Sequence, residues 1–293
     1  MIDLHCHSTA SDGTDSPTEL VHNAVRAGLD VMAITDHDTT GGWAEAATVV
    51  QSLDRPFTLI RGAEFSCVYR RANQTPISLH LLGYLFDPES DGLRAERARL
   101  RASRLGRGEA IVTRLVEAGF PITWERVTEI AAGGSVGRPH IGQALQEAGV
   151  VGTVNEAFAQ LLSDDSPYYV PKEDSEVGTA IELLNAAGGV AVIAHPWARR
   201  RGAIIDEQAL AELATLGLAG IEVDHVDHDT ADRTRLRALA DELNLLHTGS
   251  SDYHGTHKTV RLGAETTHPQ QLQHIVERAT GAHPLYSPTT PHD

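Results

Sequence analysis

Thiol chemistry is nearly missing from this chain of 293 residues. It has two cysteines, Cys6 and Cys67, with no CxxC spacing, which excludes a disulfide framework and a cysteine-based zinc finger. Long apolar runs are missing too. None approaches the roughly 20 residues needed to cross a bilayer. The N-terminus is too acidic, and its apolar stretch too short, for a signal peptide. A cytoplasmic protein without a membrane partner is expected. Positive charge is scarce: 24 Lys and Arg against 40 Asp and Glu leave a formal charge of −16. That balance argues against binding long duplex nucleic acid. Two features soften it. Carboxylates that bind divalent cations lose their local negative field, and seven arginines lie between Arg94 and Arg114.

What the chain has in excess is histidine, 16 residues in all. The run Asp3-Leu4-His5-Cys6-His7 follows an apolar start. On a strand, His5 and His7 project from one face and Cys6 from the other. Two imidazoles on one face fill a core poorly and hold a metal well. Cys6, with the opposite parity, reads as a buried thiol.

The first half alternates strand and helix. Met1–His5 reads as a strand. Ser16-Pro17-Thr18-Glu19 opens a helix with a capping box, which stops near Gly28. Asp30–Thr35 reads as a buried strand, Gly42 to Leu53 as a helix, and Phe57–Cys67 and Ile77–Phe86 as strands. From 91 to 166 the pattern is almost purely helical, over 91–118, 123–132, 138–148 and 154–162. Alternation then resumes, with helices at 175–187, 206–216, 229–243 and 268–279. Strands lie at Gly189–Ala194, Ala219–Val223 and Leu245–Gly249. Such alternation predicts a parallel sheet with helices outside, here an α/β barrel of about seven strands interrupted by a helical insertion. The division is 1–90 plus 167–282 for the barrel, 91–166 for the insertion and 283–293 for a loose tail.

Candidate ligands gather at strand ends. His5 and His7 end the first strand, and Asp12 follows in Ser-Asp-Gly. His37 ends the second, Glu64 lies late in the third and His80 lies in the fourth. His195 ends Val190–Ala194, and Asp252 and His254 follow the last strand. In a parallel barrel these ends share one rim. Nine such side chains crowded there require cations. Histidine and carboxylate without thiolate suit Mn, Fe or Zn.

These motifs together resemble the polymerase and histidinol phosphatase (PHP) superfamily. They are Asp-Leu-His5-Cys-His7-Ser, Ser-Asp12-Gly, Thr-Asp-His37-Asp, Gly-Ala-Glu64, Ala-His195-Pro and Ser-Asp252-x-His254. The resemblance runs from residue 1 to about 265. It is greatest to stand-alone metal-dependent phosphoesterases with a helical insertion. Members of that group hydrolyse 3′,5′-nucleoside bisphosphates, and some trim short RNA from the 5′ end. The resemblance implies a distorted seven-stranded β/α barrel (PHP-type) with three metal ions, Mn2+ first and Fe2+ or Zn2+ as alternatives. His5, His7, Glu64 and Asp252 would hold one ion. Glu64, His80 and His195 would hold a second, and Asp12, His37 and His254 the third. The expected reaction is attack on phosphorus by a metal-bridged hydroxide. The expected partner is a small phosphorylated nucleotide or a short RNA end.

Further residues are candidates for the substrate. Arg138, in Gly-Arg-Pro-His at a helix start, can grip a phosphate in bidentate fashion. A similar run lies beside the substrate in stand-alone family members. Lys172 and His140 are further candidates for binding the substrate. His225, near a strand end, could protonate the leaving oxygen. Arg94, Arg97, Arg101 and Arg104 recur at helical spacing and read first as a solvated face, second as a phosphate or RNA track. Two other functions are open: histidinol-phosphate phosphatase, and a non-catalytic, metal-stabilised PHP module. The insertion with Arg138 favours a bulkier or doubly charged substrate over histidinol phosphate. The full set of nine ligand positions disfavours the non-catalytic module.

Overall fold

A computed structural model describes residues 1–290 except Asn73 and Lys172. The strands are β1 Ile2–Cys6, β2 Val31–Ile34, β3 Thr58–Tyr69, β4 Ile77–Tyr84, β5 Ser175–Glu176, β6 Val190–Ile193, β7 Gly220–Asp224, β8 Leu246–Gly249 and β9 Leu285–Tyr286. The helices are α1 Pro17–Arg26, α2 Trp43–Val50, α3 Asp91–Glu117, α4 Trp124–Ala131, α5 Arg138–Glu147, α6 Val154–Ala157, α7 Val177–Ala186, α8 Glu207–Thr215, α9 Thr230–Leu243 and α10 Pro269–Arg278. Seven strands, in the order β1-β2-β3-β4-β6-β7-β8, wrap into a nearly closed barrel. The seam between β8 and β1 is stitched by the segment after β8. The His7 and Thr267 N–H groups donate to Tyr253 O and Ile2 O, each at 2.9 Å.

The sheet is mixed, not parallel. β4 runs antiparallel to both β3 and β6. Only the short segment between Tyr69 and Ile77 joins β3 to β4, too little for the helical crossover that a parallel pair needs. The N-terminal end of β4 therefore meets the C-terminal ends of the other barrel strands at one rim.

Two apolar layers hold the barrel. The outer one joins the sheet to its helices, through Leu20 and Val21 of α1, Leu210 of α8 and Leu236 of α9. The inner one gathers Leu4, Ala33, Ile60, Leu82, Val192 and Leu246, with Ile275 of α10. β1 carries one extra residue between Asp3 and Cys6 relative to β2. This bulge lets Leu4 stay in the inner layer while His5 and His7 turn to the rim and Cys6 packs outward in the outer layer.

The helical stretch has its own core, including Ile111, Leu115, Val127, Ile141, Leu145 and Leu162. α3 spans both units. Its Leu93 and Leu100 pack on the barrel side, and its Ile111 and Leu115 in the helical core. α6 continues into a π-helical turn at Phe158–Leu162. The chain's end is tied down as far as Thr290. β9 pairs with the start of β3, and the Ser287 N–H donates to Phe57 O at 2.9 Å. Among the described residues, no helix is long and apolar enough to cross a membrane.

Candidate metal centre and its surroundings

The loops that carry the rim side chains are heavily braced. After β1 the chain folds back on itself at Gly13, where a Cβ would lie 2.4 Å from His7 O, so only glycine fits. Asp36 accepts from Ser8 N (2.8 Å), Ser8 Oγ (2.7 Å) and Ser11 Oγ (2.7 Å). That holds the loop carrying Asp12 against the end of β2. Asp38, His195 and Asp252 all have left-handed backbone, with φ of 54°, 28° and 53°. For a histidine this costs roughly 1–2 kcal/mol, and such strain collects where side chains must be aimed.

Glu64, fully inside the rim, is the hub. Its Oε2 lies 3.1 Å from His5 Nε2, 3.0 Å from His7 Nε2 and 3.3 Å from His37 Nδ1. Its Oε1 lies 2.7 Å from His80 Nδ1 and 3.3 Å from His195 Nε2. Asp12 sits 3.5 Å from His7 and His254, and 3.7 Å from His37. Asp252 Oδ1 sits 3.4 Å from His5 and 3.5 Å from His7.

Three overlapping groups of donor atoms result, each within 4.8 Å: His5, His7, Glu64 and Asp252; His7, Asp12, His37 and His254; and His37, Glu64 and His80. The first brings together the four residues that the family resemblance implies for one ion. The other two differ in detail, since His7 joins the Asp12 group and His37 takes the place given to His195. His195 remains adjacent through its contact to Glu64, with its ring centroid 5.5 Å from that of His80.

The donor set fits divalent cations. His37 Nδ1 and His80 Nδ1 are buried and approach Glu64 without hydrogen-bond geometry, as lone pairs aimed at an ion would. Burial, opposed by Glu64 and Asp12, holds the pKa of His37 well below the ordinary histidine value. Burial and His7 do the same for His254. Both are thus in the neutral, ligating form. Burial opposes ionisation of Glu64, yet His80, His5 and His37 hold it well below the usual carboxylate range. Asp12 is held down likewise by His37, His254 and His7. Neutral imidazoles and ionised carboxylates, all oxygen and nitrogen, are the ligands of Mn, Fe and Zn.

A ring of groups without obvious sequence signals surrounds these donors. Glu222 Oε1 lies 3.2 Å from His5 Nδ1 and accepts from Ser250 Oγ at 2.5 Å, while its Oε2 accepts from the His195 N–H at 2.9 Å. It fixes which nitrogen of His5 faces the cluster. Arg104 pairs with Asp38 and donates to Ser66 Oγ at 2.6 Å. Arg201 and Lys258 both bind Asp252 Oδ2, at 2.7 and 2.6 Å. Glu222, Arg201 and Lys258 have no motif of their own, and Arg104 stands out in the sequence only as part of the arginine stripe.

Of the expected substrate residues, His140 and His225 lie beside the donors. Ser135 N donates to Ala10 O at 2.9 Å, so the loop before α5 rests on the loop carrying Asp12. His140 is buried there, its Nδ1 accepting from the Gly137 N–H at 3.0 Å. Arg138 points into the helical unit, donating to Leu162 O (2.8 Å) and Asp164 (2.5 Å). Lys172 lies outside the described residues. His225 is fully buried beside the cluster. Its Nδ1 accepts from the Asp227 N–H at 3.0 Å, and its Nε2 is 3.6 Å from Asp252 Oδ2 with no hydrogen bond. The arginine stripe is not one solvated face. Arg94 pairs with Asp91, Arg97 is buried against Thr40 and Phe86, and Arg104 is buried at the rim.

Comparison with known proteins agrees with this geometry. Residues 3–118 match the model of the PHP domain. The 5′-3′ exoribonuclease Rnm of Salmonella typhimurium is 32% identical, over 93% of this chain and 92% of its own. A 3′,5′-nucleoside bisphosphate phosphatase of Chromobacterium violaceum is 31% identical, over 86% of this chain and 87% of its own. A solved structure from Bifidobacterium adolescentis, described as a metal-dependent phosphoesterase, superposes with a TM-score of 0.90 at 36% identity, covering 95% of this chain and 96% of its own. Barrel, donor clusters and nearly full-length similarity to phosphoesterase enzymes place one conclusion beyond the rim itself: this chain belongs to the PHP domain family.

Proposed function

We propose that this chain is a metal-dependent phosphoesterase of small nucleotides, acting on 3′,5′-nucleoside bisphosphates, on the 5′ ends of short RNA, or on both. The observation that carries the reading is the convergence of eight donor residues, seven of them buried and His80 half-buried, on three overlapping groups at one rim. The names of the two relatives supply the substrate class. We assign the nine positions His5, His7, Asp12, His37, Glu64, His80, His195, Asp252 and His254 to three ions, Mn2+ first. Such ions supply positive charge to phosphoryl oxygens and a water-derived nucleophile at neutral pH.

The chain's own residues do the rest. Glu64 belongs to two of the three groups and would set the spacing between them. Glu222 holds His5 in the tautomer that presents Nε2. His225 Nδ1 accepts from the backbone, which leaves its Nε2–H facing the cluster, and we assign that N–H to the leaving oxygen as a hydrogen-bond donor; transfer of the proton itself would require Nδ1 to take one up in turn. Arg138 and His140, on the helical unit, take the part of the substrate away from the scissile bond, with Lys172 as a further candidate.

The test is phosphate release from adenosine 3′,5′-bisphosphate, a 5′-phosphorylated trinucleotide and histidinol phosphate, on protein loaded with Mn, Zn or Fe, with and without chelator. Turnover of a nucleotide substrate, lost with chelator and lost in a folded His37→Ala variant, is expected. Turnover of histidinol phosphate alone, or chelator-resistant activity, contradicts the proposal.

A further inference from the structure

We propose that Lys258 and Arg201 form a clamp for the phosphoryl group being cleaved, gripping its non-bridging oxygens beside Asp252. The proposal rests on the phosphoesterase reading and adds residues to it. Asp252 is the pivot. Its Oδ1 faces His5 and His7 at 3.4 and 3.5 Å, while its Oδ2 receives both Lys258 Nζ at 2.6 Å and Arg201 Nη2 at 2.7 Å. As they stand, the two cations are balanced by two carboxylates, Asp252 and the Asp227 that also pairs with Arg201. Once Oδ1 shares its charge with a bound cation, a positive surplus arises on the Oδ2 side.

The placement fits an incoming anion. Asp252 is buried, but the side chains of Lys258 and Arg201 keep 30% and 34% of their surface exposed. They sit at the mouth, one carboxylate away from the donors. An anion seated on the first donor group is therefore the one they can reach. They come from different loops, Arg201 after β6 and Lys258 after β8, so they approach from two directions. Arg201 is also held by Asp227, at 2.7 Å from its Nε. Lys258 is one of two lysines in a chain that otherwise uses arginine. A compact ammonium with three donors can hold Asp252 and swing to a phosphoryl oxygen. Arg138, by contrast, is held in the helical unit by Asp164 and Leu162 O, away from this pivot.

The experiment uses Mn-loaded protein and two readouts: calorimetric binding of inorganic phosphate, and kcat/KM for a nucleoside 3′,5′-bisphosphate and a 5′-monophosphate. Lys258→Met should weaken phosphate binding at least tenfold and lower kcat/KM for both substrates by the same factor. Metal content and thermal midpoint should hold, and Lys258→Arg should recover part of the loss. Arg201→Gln provides the same comparison from the other loop, should the methionine variant fail to fold. Unchanged phosphate affinity in a folded variant overturns the clamp. Loss confined to the bisphosphate also overturns it, because it moves the cations to the second phosphate. Loss of metal content overturns it too, by reducing the pair to supports for Asp252. A wild-type protein that cleaves neither ester but binds phosphate through Lys258 sinks the phosphoesterase reading and not the clamp.

Discussion

A histidine's role is set by which ring nitrogen is engaged and what the other one meets. His228 is closed on both sides, with Nδ1 on Val223 O at 2.9 Å and Nε2 accepting from the Trp197 N–H at 3.2 Å. His225 has one side closed and the other aimed at the cluster. If its Nε2–H steadies the leaving oxygen, His225→Ala should cost about 10²–10³-fold in kcat on a nucleotide ester. It should cost little on p-nitrophenyl phosphate, whose leaving group needs no proton. Equal losses on both would assign His225 to positioning Asp252. At this scale the sequence was informative where ligands came in short motifs at strand ends, as with His5-x-His7 and Asp252-x-His254. It was silent on Glu222. A lone carboxylate in Ile-Glu-Val looks like any strand residue until the fold puts His5, His195 and Ser250 around it. Arg201 and Lys258 were hidden for the same reason, because their shared partner is distant in sequence.

Elements aim these residues, and the aim depends on close backbone approaches. Gly134 shows this best. A Cβ there would lie 2.6 Å from Thr9 O and 2.9 Å from Ala10 O, where the helical unit rests on the loop carrying Asp12. Backbone cannot yield as a flexible side chain can. Gly134→Ala should destabilise the protein by about 1–3 kcal/mol and lower kcat/KM by shifting that loop. A thermal midpoint and a rate both unchanged from wild type would show that the contact is not needed. The directions of the strands were only partly legible. Periodicity marks a strand but carries no sign, so β4 passed for parallel until its short link to β3 was read as a hairpin. His80 reaches the rim for that reason, from the N-terminal end of its strand. The bulge in β1 was likewise invisible, since one extra residue leaves no compositional trace.

For the whole molecule, burial makes stability depend on pH. Burial first, with neighbouring cations, lowers the pKa of His37, His254, His140, His228 and His247, and of His195 to about 3. Below about pH 6.5 the unfolded chain takes up these protons and the folded chain does not. Stability is thus lost as pH falls through that window. His5 is shifted the other way, raised by Glu64, Asp252 and Glu222 against its burial. Its contribution is complete below about 6.5 and fades only as pH rises, so it does not offset the loss. In chelator, the urea midpoint should fall from pH 6.5 to pH 5. A flat or rising midpoint would contradict the burial account. Bound divalent ions should raise stability at every pH, and protons should compete with them. The architecture was legible at this scale because seven strand patterns and a helical interruption survive any local error. The end of the chain was not. Its Pro, Thr and Ser residues resemble a loose tail, yet β9 and Ser287 fasten it to β3.

The convergence of buried donors on divalent cations is tested most directly by crystals grown with Mn2+ and measured across the manganese absorption edge. Anomalous peaks should appear within the three donor groups around Glu64, with Asp252 Oδ1 and Asp12 as outer ligands. An active protein whose map shows no peak there, or shows manganese bound elsewhere, would contradict the account.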